Sequence, residues 1–308
     1  MKYLLFLSIF ALALSGPAVK PTDPELIAMQ EMVDEINRVQ DSWTASTDWL
    51  SQVTIAKAKS KLLTSEPKPR MFPEKDWGTL LDYLSIPASF DSRQQWPNCI
   101  HPVQNDEGCD GGWAYSATGV LADRFCIATN GTVNVVLSPG FLLVCIIDPV
   151  VMNCNGGTAD AAWQFLVESG TVTEKCVPYH IWSAEDPCPN HCNNLSKFVY
   201  YKAAYMQTYA GPSSMQAAIL AGGPIETTLK VYEDLLTYKG GIYKHVTGKY
   251  IGMSSVKVIG WGNQNGTNYW IAQNVLGTLW GQKGYLWIAF GQCQVDTEAV
   301  AGAPYPII

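Results

Sequence analysis

The sequence predicts an α+β protein, in which a helix-rich first half and a strand-rich second half pack as two lobes. Helical spacing occurs before residue 200, and β-like runs separated by glycine and asparagine follow it. The 308 residues, 47% of them apolar, are enough for one large domain or two lobes. Only 15% are charged, compared with roughly 25% in an average soluble domain. This excludes an intrinsically disordered chain.

Residues 1–16 have the pattern of a cleaved signal peptide. A lysine at position 2 precedes an apolar run over residues 3–14, and small residues follow. The alternative is a membrane anchor. The run has about twelve residues, whereas a bilayer span needs about twenty, so the signal peptide is favoured. We therefore expect a protein of the secretory pathway, located outside the cell or in a lysosome-like or vacuole-like compartment.

Residues 17–84 contain no cysteine and are expected to be a propeptide, or else an N-terminal extension that is never removed. The spacing predicts a helix over residues 23–49 that starts at Asp23 and Pro24. Its apolar positions are Ile27, Met32, Ile36, Val39 and Trp43. Prolines at 67, 69 and 73 predict an extended linker.

The remaining residues, 85–308, have two textures. Helices are predicted over residues 113–125 and 159–168, which places a helical lobe at about 85–200. The first helix should bury one face, made of Trp113, Ala117, Val120, Leu121 and Arg124. Strands are predicted at 225–229, 256–259, 269–272 and 285–289, which places a β lobe at about 200–308.

Nine cysteines, eight of them within residues 99–192, predict a disulfide framework with one cysteine left over. A zinc site is the competing interpretation, since Cys188, His191 and Cys192 lie close together in the sequence. Glycosylation is expected at the sequons that begin at Asn130, Asn194 and Asn265.

Net charge and motifs limit the possible partners. The net charge is −7 and no basic run stands out, so we expect neither a nucleic-acid partner nor attraction to an anionic membrane. We expect no cofactor and no metal, and we expect a monomer.

Several motifs occur in the order and at the spacing typical of one family. They are residues 87–99 (PASFDSRQQWPNC), 154–157 (CNGG), 223–225 (GPI) with 238–243 (YKGGIY), 259–262 (IGWG), 265–270 (NGTNYW), 280–285 (WGQKGY) and 300–304 (VAGAP). Together they resemble cathepsin B-like members of the papain family of cysteine peptidases, from about residue 85 to the end. The resemblance implies a two-lobed, disulfide-braced fold with a helical lobe and a β-barrel-like lobe.

The resemblance also implies a cysteine pairing that spacing alone leaves open. The implied bridges are Cys99–Cys126, Cys109–Cys154, Cys145–Cys188 and Cys176–Cys192, with Cys293 free. Each bridge could stabilise the fold by about 2–4 kcal/mol.

The catalytic positions of the family carry other residues in this chain. Alignment on Cys109 and Trp113 places Gly112 at the position of the nucleophilic cysteine and Asp106 at that of the oxyanion-hole glutamine. Ser254 occupies the position of the histidine, and only Asn274 matches the family. A papain-like mechanism needs a thiolate beside an imidazolium, so the sequence predicts that this chemistry is absent.

Other residues offer no evident replacement. Cys109 is implied to be in a disulfide, and if free its acidic neighbours would raise its pKa. The four histidines lie outside the segment that carries the family histidine, and His245 is expected in a loop or at a strand end. A carboxylate at Asp106 would oppose the negative charge that develops in an oxyanion hole.

The substrate groove is expected to persist. By resemblance, Asn155, Gly156 and Gly157 line it and offer backbone hydrogen bonds to an extended peptide. Glu298 matches an acidic residue that would accept an arginine side chain, and the alternative is a solvated surface carboxylate. Only eleven residues separate Cys176 from Cys188, so the occluding loop of cathepsin B is expected to be shortened.

Three functions follow as hypotheses. The first is a pseudopeptidase that binds a peptide, a protein or its own propeptide in the former cleft. The second is a structural or adhesive secreted module. The third is an active cysteine endopeptidase with a non-standard arrangement.

Overall fold

The computed structural model describes residues 23–62, 85–147, 153–180 and 186–306 of the chain. The expected signal peptide, the proline-containing linker and the boundary at residue 84 lie outside these ranges and stay predictions. Within the described ranges, the helices follow in chain order as α1 (Pro24–Val39), α2 (Ile55–Lys59), α3 (Ser92–Gln95), α4 (Gly112–Ala128), α5 (Pro139–Cys145), α6 (Ala159–Glu168) and α7 (Gly211–Gly222).

The strands lie mainly in the second half, which confirms the α+β prediction. They are β1 (Trp43–Ala45), β2 (Phe90–Asp91), β3 (Ala203–Tyr209), β4 (Ile225–Tyr232), β5 (Tyr238–Tyr243), β6 (Tyr250–Gln264), β7 (Thr267–Gln273), β8 (Tyr285–Ala289) and β9 (Ala299–Pro304). The sheet order is β1-β5-β8-β7-β6-β4-β9-β3, with β2 paired to β6. The path is open, since no pairing among the described strands joins β1 to β3.

The N-terminal segment, defined here as residues 23–62, differs from its prediction. Helix α1 begins at Pro24 with Asp23 as its cap, as predicted, but it ends at Val39 rather than near residue 49. Its buried residues are Met29, Val33 and Ile36, whereas Ile27 and Val39 are exposed. Trp43 lies in β1, which pairs antiparallel with β5 of the sheet. The helix therefore ends before Trp43, and the chain continues as a strand at the edge of the sheet.

Trp43 explains this docking. Its ring is buried and lies 5.1 Å from the ring of Tyr243, and its Nε1 donates to the Lys244 carbonyl oxygen at 3.0 Å. Burial of an aromatic ring that also satisfies its N–H outweighs one further turn of an exposed helix.

Helix α4 lies at the centre of the body. The prediction gave it one buried face, but 14 of its 17 residues are buried. The helix contacts α5, α6 and α7 as well as the sheet, and a helix enclosed on every side has no exposed face to reserve for polar residues.

Two charged residues near the end of α4 tie it to the second half of the chain. Lys257 Nζ of β6 donates to Asp123 Oδ2 at 2.6 Å, and His101 Nδ1 lies 2.6 Å from the other oxygen of that carboxylate. Arg124 donates to the carbonyl oxygens of Pro224 and Gly223 at 2.7 and 3.0 Å. Buried charges with such partners fix how the helix sits against the sheet.

Four disulfides brace the first half of the body in the implied pairing. They join Cys99 to Cys126, Cys109 to Cys154, Cys145 to Cys188 and Cys176 to Cys192, and Cys293 is free. The zinc interpretation is therefore wrong, because Cys188 and Cys192 are consumed by bridges. All three sequon asparagines are exposed. No helix in the described ranges combines the length and the apolar character that crossing a bilayer requires.

Replacing Trp43 by alanine should loosen the N-terminal segment from the body. Truncating a buried tryptophan costs about 3–5 kcal/mol, and here the cost falls on the β1–β5 contact. We expect much faster hydrogen exchange at residues 43–46 in the full chain. Ile27→Ala, which removes an exposed apolar side chain of the same segment, is the control. Equal exchange in both variants would contradict the docking role of Trp43.

Candidate functional site

The start of α4 carries one of the predicted catalytic positions. Gly112 is the first residue of the helix and is buried, and the preceding Gly111 supplies no side-chain cap. The Cys109–Cys154 disulfide and a hydrogen bond from the Asp110 amide to the Cys154 carbonyl oxygen (3.0 Å) hold this loop against the 153–157 turn.

The residues next to Gly112 come from β6 and from the segment after β7. The nearest neighbours of a Cβ atom placed on Gly112 would be the Ser255 backbone, at 3.5 Å and beyond, and Val275 Cγ2 at 3.7 Å. These residues adjoin Ser254 and Asn274. The Asp106 amide donates to the Val275 carbonyl oxygen at 3.1 Å. The structure thus brings the four segments that carry the predicted catalytic positions into one site.

The side chains at these positions are differently engaged. Ser254 is buried in β6 opposite Leu229 of β4. Asn274 is also buried, and its Oδ1 accepts a hydrogen bond from the Val275 amide at 2.8 Å.

The 155–157 turn packs directly on α4. Asn155 is exposed, whereas Gly156 and Gly157 are buried. A Cβ atom at Gly157 would overlap the Trp113 indole, and the Trp113 Nε1 donates to the Asp110 carbonyl oxygen at 3.1 Å. Glycine is therefore required at this position for the backbone to approach the helix.

Glu298 is half-buried just before β9. Its carbonyl oxygen accepts a hydrogen bond from Thr227 Oγ1 at 2.7 Å. The neighbouring Thr228 Oγ1 lies 3.4 Å from Ser255 Oγ. This arrangement places the backbone of Glu298 one strand away from Ser255 of β6.

Asp106 is fully buried and forms an ion pair with Lys61 of the N-terminal segment. The Lys61 side chain is only 2% exposed, and its Nζ also donates to Asn105 Oδ1 at 3.1 Å. Burial raises the pKa of Asp106 to about 6, and the Lys61 charge limits this rise. Sequence reasoning missed Lys61. The available signal was an acid at the position of the oxyanion-hole glutamine, because a carboxylate that proves to be buried there needs a cation nearby.

Asp110 is a second buried carboxyl beside the first. Burial, followed by the negative charge of Asp106, raises its pKa to about 8. At neutral pH, Asp110 is therefore mostly protonated, and the Lys61–Asp106 pair is close to electrically balanced.

The remaining thiol and the imidazoles are committed elsewhere. Burial, together with the Asp234 charge, raises the pKa of Cys293 to about 12. His245 follows β5 in a loop, as predicted, where its Nδ1 lies 3.1 Å from Asp234 and its ring stacks on Tyr232. His101 is held by Asp123, and His191 Nδ1 lies 3.0 Å from the Cys192 carbonyl oxygen. Residues 181–185, within the loop that is expected to be shortened, lie outside the described ranges.

Comparison with known proteins identifies relatives across almost the whole chain. A family profile described as papain family cysteine protease matches residues 86–303. Cathepsin B-like cysteine proteinase 4 of Caenorhabditis elegans is 33% identical, over 99% of each chain. Cathepsin B of Dictyostelium discoideum is 36% identical, over 72% of this chain and 76% of its own.

A solved structure extends the similarity to the three-dimensional fold. A procathepsin B from Trypanosoma congolense superposes with a TM-score of 0.82 at 31% identity, covering 90% of this chain and 98% of its own. This match confirms the two-lobed papain-like fold that the sequence motifs implied.

Replacing Asp110 by asparagine should stabilise the protein in a pH-dependent way. The folded pKa near 8 exceeds the unfolded value of about 3.9, so ionisation destabilises the fold as pH rises between them. Near pH 4, the ionisation of Asp110 should therefore contribute little to the difference in the free energy of unfolding between the wild type and Asp110→Asn. The variant should gain at least about 1 kcal/mol at pH 8, since one pKa unit corresponds to about 1.4 kcal/mol.

Thermal unfolding of the full chain at several pH values checks this expectation. Glu107→Gln, at an exposed acid of the same loop, should show no such gain. A pH-independent difference between Asp110→Asn and the wild type would refute the assignment.

Proposed function

We propose that this chain, which belongs to the papain family of cysteine proteases, is a secreted cathepsin B-like pseudopeptidase that binds peptide segments in the former substrate cleft. The observation that carries the proposal is the buried contact between Lys61 and Asp106. A segment of the chain itself thus contacts Asp106, a residue that does not suit peptidase chemistry at the position of the oxyanion-hole glutamine.

The loss of catalysis follows from three positions. Gly112 has no side chain, so no nucleophile replaces the family cysteine there. Ser254 cannot take the role of an imidazolium, and Asp106 opposes the charge that an oxyanion hole stabilises. In a serine protease, removing the triad alone lowers turnover by about 2 × 10⁶-fold.

The other thiols do not favour the alternative of an active endopeptidase. Eight of the nine cysteines are in disulfides. The ninth, Cys293, has its pKa raised to about 12. A thiol with that pKa is almost entirely protonated at the pH of any cell compartment, and the thiolate is the nucleophilic form.

Retained groove residues favour peptide binding over a purely structural module. Gly156 and Gly157 keep a tight turn against Trp113, which suits backbone hydrogen bonds to an extended peptide. Glu298 precedes β9, and its carbonyl oxygen accepts from Thr227 Oγ1; by family resemblance its side chain supplies an acid for an arginine side chain. We place this activity in the secretory pathway, with the protein acting as a monomer.

Activity measurements test the proposal. The substrates are fluorogenic dipeptides with arginine at P1 and phenylalanine or arginine at P2. We expect the full chain to release no fluorophore from them, whether or not it has been cut within residues 63–84. Turnover by the wild type that is blocked by a thiol-directed epoxide would contradict a pseudopeptidase.

A reverted variant tests whether the cleft is intact. Gly112→Cys has room, because a Cβ there makes only ordinary contacts. Combined with Ser254→His and Asp106→Gln in the cut protein, it should restore measurable turnover. The control variant carries Gly119→Cys instead of Gly112→Cys, with the other two substitutions unchanged, and should stay inactive. Position 119 lies in the same helix and also has room, because the nearest atom to a Cβ there is Lys257 Nζ at 3.7 Å.

A further inference from the structure

The Asp106 site is built almost entirely by the body of the protein. The Asp106 amide donates to the Val275 carbonyl oxygen at 3.1 Å, and its own carbonyl oxygen accepts from the Cys109 amide at 3.0 Å and from Tyr179 Oη at 2.7 Å. Asn105 Oδ1 accepts from the Glu107 amide at 3.1 Å. These bonds hold the backbone of Asp106 and the amide oxygen of Asn105 without any residue of the N-terminal segment.

Only the occupant of this site comes from the N-terminal segment. Lys61 Nζ contacts Asp106 Oδ1 and Asn105 Oδ1. Asp106 Oδ2 is buried and accepts no hydrogen bond from the described residues. An ionised carboxylate in such a setting is costly unless a cation accompanies it. The body therefore presents a preformed acceptor that requires a positive group from outside.

We propose that Asp106 is a receptor for the ammonium group of a lysine side chain, filled here by Lys61, and that it selects lysine-bearing peptide segments for the cleft. The inference rests on the proposed function, because it names the ligand class of the same cleft. Lys61 is the tethered ligand, and a lysine-bearing peptide from another molecule must displace it.

The geometry favours lysine over arginine. One carboxylate oxygen and one amide oxygen receive the cation, which suits a compact ammonium with three donors on a flexible stem. A guanidinium is planar and matches carboxylates best through two parallel bonds, and the second Asp106 oxygen takes part in no such bond among the described residues.

Lys59 offers an internal comparison two residues earlier. It pairs with Glu233 at 3.8 Å, and its side chain is 37% exposed. Exposed pairs contribute little, whereas breaking a buried hydrogen-bonded charge pair at an interface typically weakens binding about thirtyfold or more. The two lysines should therefore differ strongly in their effect on binding.

A split-chain exchange experiment tests the receptor. The full chain receives a specific protease site in place of residues 68–74 and is cut, so that the resident N-terminal segment can exchange. Labelled synthetic peptides covering residues 23–66 are added, with lysine, arginine or norleucine at position 61. We expect norleucine to weaken binding about thirtyfold or more, arginine to weaken it at least about tenfold, and norleucine at position 59 to change it less than about fivefold.

The protein variant Asp106→Gln completes a double-mutant cycle. In it, the lysine and norleucine peptides should bind within about threefold of each other. Release of the resident segment gives a second readout, in which Lys61→Met should dissociate at least about thirtyfold faster than Lys59→Met.

Each outcome decides between the two proposals. If the lysine and norleucine peptides bind the wild-type protein within threefold of each other, the receptor is overturned and peptide binding in the cleft stands. If no peptide binds and the resident segment separates freely after the cut, the proposed function fails together with the receptor.

Discussion

The burial of α4 on all sides is the constraint on which the rest of the structure depends. Fourteen of its 17 residues are buried, so every charge on or beside it must find a partner inside the protein. Asp123 meets Lys257 and His101, and Arg124 meets backbone carbonyl oxygens of the α7–β4 turn. Lys257 comes from β6 and the carbonyl oxygens come from the turn before β4, both in the second half, whereas His101 precedes α4. The hydrogen bonds and ion pairs that the buried charges of α4 need therefore also fix how the two halves of the chain pack together.

Buried charges next to the N-terminal end of α4 also need a partner, and here the partner comes from the N-terminal segment. Asp106 and Asp110 are buried within five residues of each other, and the charge of Asp106 adds to the burial that raises the pKa of Asp110. The cation that balances the Asp106 carboxylate is Lys61, from the N-terminal segment, while Asp110 is mostly protonated at neutral pH. That segment is therefore part of the electrostatic balance of the cleft as well as a chain packed over the sheet through Trp43. Separating it from the body would leave the acid pair without the cation seen here.

Local sequence patterns predicted those elements whose burial follows their own periodicity. Helix α6 spans residues 159–168 as predicted, and the four predicted strands all occur. The cysteine pairing came from family resemblance, because spacing cannot choose among alternatives. Helix α1 was predicted too long, since the burial of Trp43 depends on Tyr243, 200 residues away. Lys61 was missed for the same physical reason: its partner is distant in sequence, and nothing in its local pattern distinguishes it from Lys57 or Lys59.

The residue at position 106 links the loss of one chemistry to the gain of another. An oxyanion hole needs hydrogen-bond donors, because negative charge accumulates on the substrate oxygen in the transition state. An ionised carboxylate offers only acceptors, so it disfavours that charge and favours a cation at the same place. With glycine at 112 and serine at 254, no negative charge develops on a substrate oxygen. An acceptor at position 106 therefore does not interfere with catalysis. On the proposed function, the change to Asp106 turns a site for a transient anion into one for a stable ammonium, and Lys61 is the ligand already bound there.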